Sequence, residues 1–125
     1  CPLVAAWSLY ERRRLQPLAR EYFDQPVAEV WHYGTFACRN IYHREDDRRS
    51  DHATASALDV AAFSLADGTR VSVQDHWDDE GDKGAFLHAA FDGACGLFGT
   101  ALGPDYNAAH ADHFHFGLRG FGICR

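Results

Sequence analysis

Three histidines and an aspartate lie within "AHADHFHF", residues 109–116: His110, Asp112, His113 and His115. Clustered imidazoles repel one another once protonated, so such a run needs a reason. Read as a strand, "DHFHF" has period two, which puts His113 and His115 on one face and Phe114 and Phe116 on the other. The phenylalanines then enter a core while the imidazoles point together into a cleft. Two imidazoles make a metal platform, but a catalytic zinc site takes three protein ligands and leaves a fourth position to water. "SDHATASALDV", residues 50–60, offers the remainder: His52 precedes Asp59 by seven residues, and Asp59 stands alone in an apolar stretch. A carboxylate there is costly unless it is paired or bound to a metal. The small residues Ala53, Ala55, Ser56 and Ala57 let the chain turn tightly, so that both side chains can reach one ion. Each residue alone also has a plainer reading, as a hydrogen-bonded acid, a loop histidine or a core histidine. One zinc ion explains the awkward acid and the histidine cluster together. His32, His43, His76 and His88 read as surface or packing residues.

Other elements must position this set. Leu3, Trp7 and Tyr10, then Leu15, Leu18 and Tyr22, have helical spacing, and Pro17 is expected to kink or divide that helix. Residues 27–38 are rich in β-branched and aromatic residues and read as a strand, with Gly34 a possible bulge. Residues 39–51 are polar and read as an exposed loop. Residues 57–65 and 70–73 flank Asp67-Gly68, a hairpin signal. Residues 75–84 read as an acidic loop. Leu87, Ala90, Phe91, Ala94, Cys95 and Phe98 predict a second helix ending near Gly99, followed by turn chemistry at 102–107 and a last strand at 113–118. The order favours an α+β fold with a small, mostly antiparallel sheet.

The chain has 125 residues, enough for one domain spanning 1–125. Its net charge of −6 excludes nucleic acid as the main partner, since phosphate binding needs clustered Lys and Arg. The run Arg12-Arg13-Arg14 reads as a solvated helix face. No apolar run approaches the ~18 residues of a membrane span. The chain contains no Met and begins at Cys1, as a processed domain would, with any export signal or anchor upstream. Four widely spaced cysteines without a CxxC pair argue against a cysteine zinc ribbon and for two disulfides in an oxidising compartment. Three connectivities are possible; the favoured one is Cys1–Cys95 with Cys38–Cys124, joining two helices and two strand ends.

"SDHATASALD" together with "HADHFH" resembles the two motifs of the LAS group of zinc peptidases, which includes D-Ala-D-Ala metallopeptidases, murein endopeptidases and the Hedgehog zinc domain. Over nearly the whole chain, "CPL", "FACRNIY", "SDHATASALDVAAFSL", "DGACGLFG", "LGPDYNAAHADHFHF" and the final "CR" resemble the bacterial extensin-like C-terminal domain family. The resemblance implies a Hedgehog/DD-peptidase-like fold and Zn2+ held by His52, Asp59 and His115. It implies that His113 acts on the zinc-bound water or the transition state. An acid at the position of Asp112 serves some members as general base. Parity points Asp112 away from the imidazoles if it belongs to the strand, so His113 ranks first, and Asp112 second as base or as a partner that orients a histidine. His110 matches the longer "HxDHxH" form of murein endopeptidases and is placed along the cleft. Ser56-Ala57-Leu58-Asp59 replaces the Gly-x-Ala-x-Asp of many LAS members, so substrate preference is not carried across.

Zinc lowers the pKa of bound water to about 7 and polarises a peptide carbonyl. Arg39, with Arg44 behind it, is the candidate to stabilise an oxyanion, and Tyr106 and Asn107 are candidates to bind substrate. The expected function is a zinc metallopeptidase acting on peptidoglycan stem or cross-link peptides, periplasmic or secreted, with the oligomeric state open and a monomer favoured. The alternative is a non-catalytic wall- or partner-binding module that retains zinc. A disulfide-stapled domain without metal is the third reading.

Overall fold

The computed structural model describes residues 2–33 and 57–125. The N-terminal helix begins as α1 (Pro2–Tyr10), passes through one π-helical turn (Glu11–Leu15) and continues as α2 (Gln16–Phe23). The apolar stripe explains the wide turn. Tyr10 and Leu15 are five residues apart, one too many for an α-helical repeat, yet both are fully buried. The π turn absorbs the extra residue. Pro17, expected to kink or divide the helix, lies in the first turn of α2, directly after the change from π to α winding. Its ring would crowd the carbonyl of Arg13 and offers it no N–H; that carbonyl instead accepts from the Arg14 guanidinium at 3.2 Å.

The strands are β1 (Val27–His32), β2 (Ala57–Leu65), β3 (Arg70–Ser72), β4 (Thr100–Leu102), β5 (Phe114–Gly117) and β6 (Ile123–Cys124). The sheet runs β1-β2-β5-β4-β6, with β3 also on β2. All neighbours are antiparallel except β4 and β6, which are parallel. The fold is therefore α+β with a mixed, mostly antiparallel sheet. Asp67-Gly68 makes the expected hairpin, with Gly68 at φ 92°, a conformation that costs glycine little.

Between β3 and β4 the chain is more helical than the sequence suggests. Instead of an acidic loop over 75–84, α3 (Val73–His76) follows β3 directly, and α4 (Asp82–Ala94) begins two residues before Gly84. Ser72 caps α3 by accepting from the Asp75 N–H at 3.0 Å, while the ring of His76 accepts from the Ser72 N–H at 3.0 Å. His88 stacks on Trp77 with ring centres 3.6 Å apart and serves as a packing residue.

One face of the sheet carries the core. Phe114 and Phe116 are fully buried there, against Tyr10, Phe91, Phe98 and Trp77. The Tyr10 hydroxyl donates to the Ala90 carbonyl at 2.7 Å, tying the N-terminal helix to α4. Burial pushes the Tyr10 phenol far above its ordinary range, so it stays a donor.

The disulfide pattern corrects the expected pairing of Cys1–Cys95 and Cys38–Cys124: Cys95 is bonded to Cys124. Cys95 caps the end of α4, and Cys124 reaches it because β6 pairs in parallel with β4, Ala101 opposite Cys124. Gly99 permits this return, since a side chain there would collide with the carbonyls of Leu118, Arg119 and Gly120. Cys1 and Cys38 lie outside the described residues. No helix among the described residues is long and apolar enough to cross a membrane.

Candidate functional site

The site lies on the sheet face opposite the phenylalanines. Within β2, Leu58 and Val60 turn inward and Asp59 turns outward. Its side chain is 40% exposed, so it is less an isolated buried charge than its apolar neighbours suggest. The β2–β5 ladder sets Asp59 directly opposite His115, and the His115 Nδ1 lies 2.9 Å from Asp59 Oδ1. His113, two residues before His115, faces the same cleft: its Nε2 is 4.0 Å from the same oxygen. The period-two expectation for "HFHF" thus matches the arrangement found.

Asp112 precedes β5 rather than joining it, so strand parity does not govern its side chain. It turns back onto its neighbour, with Oδ1 2.8 Å from His113 Nδ1. Its other oxygen accepts from the Tyr33 hydroxyl at 3.1 Å. These are the contacts of a group that orients an imidazole.

Electrostatics assign the protons. The hydrogen bond from His115 holds the Asp59 carboxyl below its ordinary range, against the opposing effect of burial, and the charges of His113, His115 and His110 assist. The hydrogen bond from His113 does the same for Asp112, with help from Tyr33. Both acids are therefore carboxylates near neutral pH, and carboxylates only accept. A neutral His113 must then carry its proton on Nδ1, leaving the Nε2 lone pair facing the cleft. Burial, followed by the neighbouring His113 and His115, pushes His110 below the ordinary imidazole range.

His110 stands beside both histidines, its ring centre 5.0 Å from that of His113 and 6.2 Å from that of His115. Asn107 holds the His110 ring through Oδ1 and Nδ1 at 2.7 Å, and Tyr106 packs edge-on against it. Asp59, Tyr106, Asn107, His110, Asp112, His113 and His115 thus form one neighbourhood. His52, Arg39 and Arg44 lie outside the described residues. Tyr33 is the site residue that the sequence does not single out. Its position depends on β1 lying beside β2, which no local pattern signals.

The donors suit zinc in kind: one carboxylate and imidazole nitrogens. For His115 Nδ1 to bind a metal beside Asp59, the proton held in their 2.9 Å hydrogen bond would have to leave. Among the described residues, no group of three or more His, Cys, Asp or Glu side chains is arranged to hold a metal ion.

Fold and site together define an α+β domain that presents a His-x-His strand opposite a carboxylate-bearing strand. The chain belongs to the extensin-like protein C-terminus family, whose model matches residues 1–125. No curated protein and no solved structure gives a match.

Proposed function

We propose that this domain is a zinc-dependent peptidase of peptidoglycan stem or cross-link peptides, related to the LAS group. The observation that carries the reading is the convergence of His115 and His113 on Asp59, with Asp112 holding His113 from behind. His52, Asp59 and His115 would hold the zinc ion, which when bound supplies Lewis-acid activation of water and of the peptide carbonyl. The remaining chemistry falls to the chain's own residues. His113 takes a proton at Nε2, and Asp112 stabilises the resulting imidazolium through Nδ1. The same imidazolium returns the proton to the leaving amine. This makes Asp112 the orienting partner and His113 the base. Tyr106, Asn107 and His110 border the cleft where polar groups of a peptide would bind.

The Cys95–Cys124 disulfide is compatible with an extracellular or envelope setting, where peptidoglycan lies. The test is digestion of purified peptidoglycan by the zinc-loaded domain, with products identified by mass spectrometry. New peptide termini that disappear in His113→Ala support the peptidase. Tight zinc binding without any cleavage overturns it and favours a wall- or partner-binding module.

A further inference from the structure

We propose that Tyr33 is a positioning residue for His113, fixing the imidazole both directly and through Asp112. The functional consequence rests on His113 being the base of the peptidase proposed above; the positioning itself does not.

Three contacts converge on this tyrosine. Its main-chain N–H donates to the Asp59 carbonyl at 3.0 Å, carrying the β1–β2 ladder one step beyond β1 and fixing the residue beside the site. Its hydroxyl donates to Asp112 Oδ2 at 3.1 Å. Its ring meets the His113 ring edge-on, with centres 5.6 Å apart and planes at 74°, a favourable aromatic arrangement. Core packing does not explain the residue, because Tyr33 is 55% exposed.

Asp112 needs this second anchor. It sits in a turn before β5, and its side chain is 45% exposed. A carboxylate in that position with one partner exchanges readily between that partner and water. With one oxygen on Tyr33 and the other on His113, it has a single orientation. The fixed carboxylate selects the Nδ1–H form of His113 and points Nε2 at the cleft. The exposed tyrosine thus links the β2 carbonyl of Asp59 to the residue across the cleft from its side chain.

The test uses the full chain with Tyr33→Phe, which keeps the ring, and Tyr33→Leu, which removes both contacts. In the zinc-free protein, long-range proton–nitrogen NMR reads the His113 tautomer. The wild type is expected in the Nδ1–H form, and Tyr33→Phe should shift a measurable fraction to Nε2–H. In the zinc-loaded protein, Tyr33→Phe should lower kcat on peptidoglycan about tenfold at unchanged KM and unchanged zinc content. An unaltered tautomer in Tyr33→Phe overturns the proposal, whatever the activity. If the wild type cleaves nothing, the peptidase reading fails while the NMR measurement still decides the positioning role. Should Tyr33→Leu not fold, Tyr33→Phe suffices.

Discussion

Asp59 and His115 are direct cross-strand partners, and their facing side-chain atoms are 2.9 Å apart. Residues paired this way are held by the sheet itself, so the geometry of the candidate site inherits the stiffness of β2 and β5. His113 shares the cleft but makes its own hydrogen bond to Asp112, at 2.8 Å. The two histidines of one short strand therefore have separable tasks.

That separation predicts a split between variants. Asp59→Asn and His115→Ala should each abolish stoichiometric zinc, measured by elemental analysis against about one ion per wild-type chain. His113→Ala should keep its zinc and lose about 10²–10⁴-fold in kcat on peptidoglycan. Zinc loss in His113→Ala, with retention in His115→Ala, would reverse the two roles.

The covalent framework gives a second prediction. Non-reducing peptide mapping should recover Cys95 joined to Cys124, and with that bond made, Cys1–Cys38 is the remaining pairing within the chain. The Cys95–Cys124 bond spans 29 residues, for which chain entropy predicts about 3–4 kcal/mol of stabilisation. Cys124→Ser should lower the denaturation free energy by about that amount.

Tyr10→Phe provides a control far from the site chemistry. The ring and its contacts with Phe98 and Phe116 remain, but the Ala90 carbonyl, which lies within α4, loses the side-chain donor added to its helical one. The expected cost is about 0.5–1.5 kcal/mol by denaturant titration, with zinc content unchanged. A negligible cost would mean that the helical bond alone satisfies that carbonyl.

The hairpin supplies a pH dependence of definite sign. Asp67 accepts from the Thr69 N–H at 2.9 Å, and that bond is the largest cause holding its carboxyl below its ordinary value of 3.8. A depressed carboxyl stabilises the fold where it is ionised, above pH 3.8, and loses that contribution as pH falls through its folded-state value. Asp67→Asn should therefore melt below wild type at neutral pH, and the gap should narrow in acid below pH 3.8. A gap that stays constant or widens on acidification would exclude the charge as its source.

Much of this was readable in the chain because it rests on short-range periodicity. The bounds of β2 follow from its apolar run, and alternation in "HFHF" separates core phenylalanines from cleft histidines. The Asp67-Gly68 turn is equally local. Features missed by sequence reading depend on distant pairing. β4 and β6 have three and two residues, too few to show a period, and without them the Cys95–Cys124 pairing cannot be anticipated. Asp112 was misleading for a related reason: parity assigns it a face only if the strand has already begun. Tyr33 becomes a site residue only when β1 is laid against β2. The helical region hides a subtler signal, the five-residue step from Tyr10 to Leu15, which fits neither an α-helix nor a break.

Gln16 directly follows the π turn, and its side-chain amide donates to the Val27 carbonyl at 2.9 Å and accepts from the Val27 N–H at 2.8 Å. A side chain thus stands in for one residue of a neighbouring strand at the start of β1. Tyr33 follows the other end of that strand. A slip of β1 by one residue would exchange its two faces and carry the tyrosine away from Asp112. Gln16 therefore anchors only the start of β1: it holds both main-chain groups of Val27, while irregularities in the β1–β2 pairing at Val27/Glu29 and Trp31/His32 set the register that brings the strand's far end next to the histidines.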